Sequence, residues 1–359
     1  MTRKNVIYSN MNPLHKESQR LNIHFNTRFR DNYENSSPSD FVYTFRQPIT
    51  NVLSLKLLSI DIVSSWYMID KDDSTSTFNL QYNYKIPNVD MSNVKVKMDE
   101  GNFLNIDNFL GVLQPIIETS ISNETFQLGP TIDVETITLP NGTPIINTSL
   151  NTSSTYPRIE FNINEYNLKS IFTITFPRDT TDISNIRLFF WDDNNKISHI
   201  SRTLGWNLGF RKNEYLIHRD MSNNIPISLK DVISYSTDVN GNHVYSVVSE
   251  GLFDAGTDRY LFFSLDDYIN NSINAHHVML KDNILDNNII GKVNIFEGAF
   301  GINVQDYSSV DNAKQREYHG MVDIKKIHVR IYNEFGEIIN LHNMDFAFTL
   351  EFEQLYNTI

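Results

Sequence analysis

Lys326 to Ile339 reads KIHVRIYNEFGEII. Ile327, Val329 and Ile331 alternate with His328, Arg330 and Tyr332, and Gly336 interrupts before a second short apolar run. A period of two sends successive side chains to opposite faces. The run therefore predicts a strand over about 325–333 with one buried and one wetter face. Gly336 predicts a turn into a further strand at 337–341.

The same alternation recurs along the chain. In DFVYTF, Phe41, Tyr43 and Phe45 share a face; in FNLQYNY, Phe78, Leu80, Tyr82 and Tyr84 do. Val94, Val96 and Met98 alternate with Lys95 and Lys97, and RIEFNI aligns Ile159, Phe161 and Ile163. One-sided burial suits antiparallel sheets better than parallel ones covered on both faces. Asn240-Gly241, between two alternating runs, predicts a type I′ hairpin. Asn141-Gly142 predicts a further turn, with a hairpin near VETITLP. The reading is an all-β chain: an antiparallel β-sandwich of one or two modules. One helix is expected near 106–114, where Ile106, Phe109, Leu110 and Leu113 follow a helical period. Asn105 or Asp107 can cap it, and Pro115 is expected to end or kink it.

The chain has 359 residues, with 23 Phe and 17 Tyr, enough aromatic area for a substantial core. Four segments are expected: a flexible arm at 1–20, a β-rich module with one helix at 21–118, a polar insertion at 119–157, and a sandwich module at 158–359 that can interleave with the first. Formal net charge is −13, and no long basic stripe marks a nucleic-acid face. The exception is the arm, where Arg3, Lys4, Lys16 and Arg20 face one acid, Glu17. It can meet an acidic partner, nucleic acid or a membrane surface. No stretch approaches the roughly 20 apolar residues of a spanning helix. With no cysteine, disulfides and thiolate chemistry are excluded.

Catalytic patterns are weak. Asp70, Asp72 and Ser74 open like a calcium loop, but Thr75 and Gln81 stand where glycine and glutamate are needed. His276 and His277 are adjacent, which on a strand sends them to opposite faces. Asp266 and Asp267 read as turn caps. Glu351 and Glu353 share a strand face about 7 Å apart, a spacing that inverting glycosidases use but that any polar sheet face also produces. No cofactor, metal or enzymatic activity is expected. LGWNLGFR, residues 204–211, draws separate notice. Gly205 and Gly209 permit close backbone approach, Trp206 and Phe210 fill the space, and Arg211 can stack or pair. A packed corner between sheets, or a subunit contact, is expected there.

Several segments carry a resemblance: NTRFRDNYENSSPSDFVYTFRQPITNVLSLKLLSIDI at 26–62, GNF at 101–103, LGWNLGFR, RYLFFSLDDY at 259–268, and REYHGMVDIKKIHVRIYNEFGEIINLHNMDFAFTLEFEQLY at 316–356. Together they resemble virion-associated proteins of large nucleocytoplasmic DNA viruses, many of them assigned as minor capsid components. The resemblance implies a jelly-roll-like sandwich in an icosahedral shell, and no active-site residue carries over. The expected function is a minor capsid or vertex protein, in the virion and assembled in host cytoplasm, binding other capsid proteins as a homo- or hetero-oligomer. Contacts are expected from 1–20, 119–157 and the loop around 212–230. Two alternatives follow: a receptor- or glycan-binding module on a particle surface, and a glycoside hydrolase using Glu351 and Glu353.

Overall fold

The computed structural model describes residues 17–70, 76–84, 92–103, 105–127, 132–138, 144–150, 157–178, 183–190, 200–221, 225–254, 258–270, 272–274, 276–280, 284–295, 303–306 and 314–356. The chain forms two compact units, Met1–Trp66 with Gly256–Ile359, and Tyr67–Ala255. The expected boundaries at 118/119 and 157/158 both fall inside the second unit.

The chain begins in the first unit with β1 (Glu17–Asn26) and β2 (Asp40–Val63). The second unit holds β3 (Thr77–Tyr84), β4 (Ser92–Lys97), α1 (Ile106–Gln127), β5 (Ile132–Thr138), β6 (Pro144–Leu150), β7 (Arg158–Asn164) and β8 (Lys169–Phe176). It continues with β9 (Ile183–Phe189), α2 (Leu204–Asn207), β10 (Glu214–His218), β11 (Ile233–Thr237) and β12 (His243–Val248). The first unit is completed by β13 (Tyr260–Asp266), β14 (Ser272–Asn274), β15 (Ile289–Asn294), β16 (Asn303–Asp306), β17 (Gln315–Tyr332) and β18 (Ala347–Tyr356). Every strand pairing among the described residues is antiparallel, and the fold is all-β as the alternation predicts.

The first unit is one sheet in the order β1-β18-β2-β17-β13-β15, with β14 on β17 and β16 on β2. Phe263 on β13 meets Phe348 on β18 with ring centroids 5.3 Å apart, although β17 and β2 lie between them in the sheet. A flat sheet would separate those strands by about 14 Å. The sheet therefore curls over its own inner face, where Leu55, Ile327, Val329, Ile331, Leu350 and Phe352 are buried. Its register shifts repeatedly between β17 and β2, from Glu317 to Lys326, and such bulges let long strands bend.

The second unit is a sandwich of two four-stranded sheets, β10-β9-β3-β4 and β11-β12-β8-β7. Phe78 and Phe172 meet between them at 5.6 Å. The expected inward positions Phe78, Leu80, Tyr82, Val94, Val96, Met98, Ile159, Phe161 and Ile163 all lie in this core. β5 and β6 pair as a separate hairpin near VETITLP, and their turn at Asn141-Gly142 lies outside the described residues.

Four local expectations are corrected. The helix does not stop near 114: α1 runs through Pro115 to Gln127, so residues 119–127 are helical rather than part of a polar insertion. Proline loses one helix hydrogen bond and strains the turn, at about 3 kcal/mol. Here Pro115 faces solvent, while Phe109, Leu113 and Ile117 are wholly buried on the other face. Burial of three such side chains, at about 1.5–3 kcal/mol each, outweighs that cost. Asn105 Oδ1 caps the start by accepting the Asn108 N–H at 2.9 Å. Gln114 reaches the β7 edge, where its Oε1 accepts the Phe161 N–H at 2.7 Å.

Second, the hairpin at Asn240-Gly241 forms, but not as type I′, which needs positive φ at both residues. Only Gly241 has it, at +81°. The Asp238 carboxylate accepts N–H groups of Asn240 and Asn242, holding a turn that closes with Gly241 N–H on Asp238 O. Third, 337–341 is not a strand. After the Gly336 turn, the pairing is limited to the bridge between Tyr332 and Ile338 and to the Asn333 N–H to Glu337 O and Ile339 N–H to Ile331 O bonds. Fourth, the arm ends earlier than residue 20. Glu17, Ser18, Gln19 and Arg20 already lie in β1, in register with Tyr356, Leu355, Gln354 and Glu353. Ladder hydrogen bonds supply what that polar segment lacks in apolar content.

Candidate functional site

The residues of LGWNLGFR come together inside the second unit. Thr203 precedes a single helical turn, and Leu204, Gly205, Leu208, Gly209 and Phe210 are buried. A Cβ on Gly205 would stand 2.3 Å from the Phe190 ring, which itself stacks on Phe210 at 5.0 Å. Gly209 has φ +88°, and its carbonyl accepts the Gly251 N–H at 2.7 Å. The Arg211 guanidinium lies 3.9 Å over the Trp206 ring and donates to Trp206 O at 2.9 Å and Phe210 O at 3.2 Å.

Beneath this knot, the Tyr215 hydroxyl donates to Glu250 Oε2 at 2.6 Å and accepts the N–H groups of Arg211 and Lys212. Burial, then the Glu250 hydrogen bond and charge, push the Tyr215 phenol well above the usual tyrosine range. Burial likewise lowers Arg211, against the opposing pull of Glu250. Most polar groups of the knot are spent on one another and on backbone carbonyls; Glu250 Oε1 is buried without a hydrogen bond, 3.7 Å from Lys212 Nζ. What the arrangement does chemically is lock two loops together at their glycines.

The first unit holds three polar clusters that the linear sequence does not announce. Arg316 Nη1 donates to Asp267 Oδ2 at 2.8 Å, and the Tyr318 hydroxyl donates to the same oxygen at 2.5 Å. The Arg316 and Asp267 side chains are 2% and 1% exposed. Asp267 Oδ1 also accepts the Ile269 N–H, the turn-cap role read from SLDDY. Burial and the Asp267 charge push the Tyr318 phenol far up. In the second cluster, Arg30 Nη1 donates to Asp345 Oδ1 at 2.7 Å and to Thr27 O at 2.9 Å, with its guanidinium 3.9 Å over the Tyr33 ring. This ties the loop after β1 to the start of β18. No spacing rule links partners hundreds of residues apart, and only the sheet order brings them into reach.

The third cluster centres on Asp286, whose Oδ2 accepts from Ser264 at 2.7 Å and Tyr332 at 3.2 Å and pairs with Arg330 at 3.1 Å. Burial opposes the Asp286 charge, but these hydrogen bonds, the Asn288 N–H and Arg330 outweigh it and hold its pKa below the usual carboxylate value. Burial, then the Asp286 charge, push Tyr332 up to about 12 from 10.0. A raised phenol favours the fold while it stays protonated. Its contribution is complete below the unfolded value near pH 10.0 and is lost as pH rises toward about 12. Tyr332→Phe is therefore expected to remove one proton's worth of slope from the alkaline unfolding curve over that window. Parallel curves for the two proteins would disprove the assignment.

Of the remaining candidates, Glu351 and Glu353 lie on β18, on the polar face of the sheet. Arg20 Nη1 is 3.9 Å from Glu351, and Ser54 donates to Glu353 Oε2 at 3.2 Å. Arg3, Lys4, Lys16, Asp72 and Ser74 lie outside the described residues. Among the described residues, no group of three or more His, Asp or Glu side chains is placed to hold a metal ion. No helix among them is long and apolar enough to cross a membrane.

The feature most suggestive of recognition is apolar. The Asn333–Gly336 turn packs on Leu280 and Leu285: a Cβ on Gly336 would stand 2.7 Å from Leu280 Cδ1 and 2.9 Å from Leu285 Cδ1. Around this contact Met279 is 73% exposed, Ile284 46%, Ile338 45% and Phe335 37%. Met279 bridges to Ile284 and Ile338 to Tyr332, and these pairs flank a small satellite core of Phe262, Leu285, Ile289 and Tyr332. Composition gave no sign of it, because a large exposed apolar residue is indistinguishable from a buried one in sequence.

No family model matches the chain, and no curated protein matches it. Among solved structures, it is similar to the penton protein of mavirus, with 9% identity and a TM-score of 0.40, over 95% of this chain and 100% of that one.

Proposed function

We propose that this chain is a structural component of an icosahedral viral shell, in a minor capsid or vertex position, joined to other capsid proteins during assembly in host cytoplasm. The observation that carries the reading is the solvent-facing apolar surface of Met279, Ile284, Phe335 and Ile338. Contiguous apolar patches on otherwise polar proteins mark protein–protein contact. Phe335 and Ile338 follow directly on β17, which is held between β2 and β13. The clusters around Asp267, Asp286 and Asp345 support the same reading, because they pin loops to strands and leave the ionisable groups engaged with each other. The segments at 26–62 and 316–356 that resemble virion proteins supply the strands and loops of this same unit.

A photo-cross-linking side chain at Met279, carried into purified particles and analysed by mass spectrometry, tests the reading. Covalent links from that position to shell proteins are expected. Absence of the chain from purified particles would overturn the proposal.

A further inference from the structure

β1 lies at one side of the first unit's sheet, and among the described residues it pairs with β18 alone. Opposed residues of an antiparallel pair alternate between exchanging both backbone hydrogen bonds and exchanging none. The Thr27 N–H bonds to Phe346 O at 3.0 Å, one step beyond the Asn26–Ala347 pair, and this sets the phase of the ladder. Gln19, Leu21, Ile23 and Phe25 direct their N–H and C=O groups at β18. Ser18, Arg20, Asn22, His24 and Asn26 direct theirs away from it.

Such a row is a template for another strand, and proteins that stay apart blunt it with short strands, lysine, proline, bulges or a covering group. The other edges of the three larger sheets follow that rule. β4 carries Lys95 and Lys97, and the β7 edge receives Gln114 at the Phe161 N–H. β10 and β11 have five residues each, and β15 has six, with Lys292 among them. β1 has ten residues in unbroken register with β18, and neither lysine nor proline.

Its side chains suit a copy of itself. A strand pairs with its own copy about a two-fold axis only where outward-directed residues meet outward-directed residues, and axes at Leu21 and at Asn22 give the longest overlaps. An axis at Asn22 would set Arg20 opposite the partner's His24 and leave the two copies' Glu351 carboxylates facing each other across the asparagines. An axis at Leu21 sets Arg20 opposite the partner's Asn22, whose other neighbour in register is the partner's Glu351. Two strand spacings of about 4.8 Å lie within the combined reach of arginine and glutamate. Each exposed Arg20, already 3.9 Å from Glu351 of its own chain, then has a second carboxylate to meet. On the opposite face the same axis covers Leu21, which is 39% exposed, with the partner's Leu21.

We infer that two copies of this chain join edge to edge through β1, antiparallel about a two-fold axis at Leu21, so that the first unit's sheet runs on from one copy into the other. The contact is isologous and closes at the dimer. It goes beyond the shell reading and does not depend on it.

Residue-resolved amide exchange on the full-length protein, with sedimentation velocity to locate monomer and dimer, tests the pairing. In the monomer Gln19, Leu21 and Ile23 are expected to exchange slowly, and Ser18, Arg20, Asn22 and His24 fast. At dimer-forming concentration the second set should slow at least ten-fold and the first stay unchanged. Slow exchange of both sets in the monomer would show that the chain covers its own edge and would overturn the pairing, as would a wild-type protein that never associates. Asn22→Pro removes an outward N–H and none from the β18 ladder, so it is expected to weaken association at least ten-fold with an unchanged melting midpoint. Because the chain has no cysteine, a cross-link checks the register without a proline in the strand. Leu21→Cys protein should give an inter-chain disulfide under mild oxidation, since opposed Cα atoms at the axis stand about 4.5 Å apart. Gln19→Cys, about 14 Å from its copy along the strands, should give at least ten-fold less. Equal yields would overturn the pairing. A wild-type protein that stays monomeric yet is present in purified particles would remove the pairing and leave the shell reading standing.

Discussion

A Gly209→Ala variant is expected to lose about 2–5 kcal/mol of stability in the second unit. Two penalties combine. An L-residue at the left-handed φ of +88° costs about 1–2 kcal/mol. The added Cβ would also stand 2.7 Å from Gly251 O and 2.9 Å from Gly251 C and Leu252 O. Those are backbone atoms, so they cannot rotate aside as a side chain would, and overpacking of this kind costs about 1–3 kcal/mol. Domains are commonly stable by only about 5–15 kcal/mol, so the loss is large. The methyl also has to force apart the 2.7 Å Gly251 N–H to Gly209 O bond that joins the two loops. Denaturant unfolding followed by the fluorescence of Trp206, which lies in the knot, measures it. Gly111→Ala is the control: that glycine is exposed on α1 with nothing within 4 Å of the new Cβ, and the change is expected to stabilise by a fraction of a kcal/mol. A Gly209→Ala midpoint indistinguishable from wild type would show that the loops are not locked as described.

Asp267→Ala should cost about 3–5 kcal/mol in the first unit, because it leaves the Arg316 guanidinium buried without its counter-charge. Tyr318 loses its acceptor in the same step, although Arg316 keeps its 3.2 Å bond to Asn288 O. A buried pair is expensive to desolvate, so removing both charges is a different experiment. Asp267→Leu/Arg316→Met should recover most of the loss, since apolar groups of similar volume need no desolvation. The pair would then be shown to select one arrangement of β13 and β17 rather than to supply net stability. Unfolding midpoints of the single and double variants decide it, and a double variant no better than Asp267→Ala would refute the account.

The candidate site was legible to different depths in its different parts. LGWNLGFR announced itself by two glycines beside two aromatics, because small residues next to large ones are how close approach is encoded. What the glycines approach, Phe190 and the Gly251 backbone, was not legible, since neither is a neighbour in the chain. Asp267 read as a turn cap and is one, but its second oxygen serves Arg316 and Tyr318, 49 and 51 residues on. The arm was given four residues too many because Glu17–Arg20 are polar, whereas a strand's backbone bonds do not depend on side-chain polarity.

Alternation determined that this chain is antiparallel β and which side chains of its alternating strands turn inward, although Tyr332, read on the wetter face, is buried, and β13 buries five consecutive residues. Ile327, Val329 and Ile331 are as buried as their spacing required, because a period of two permits no other disposal of apolar groups. The tertiary structure alone decided that residues 17–66 and 258–356 fold together around the insertion of a second unit, that α1 continues past Pro115, and that Met279, Ile284, Phe335 and Ile338 face water. Those outcomes depend on pairings between residues far apart in sequence and on competition between burial and backbone strain. Neither is written in any local pattern.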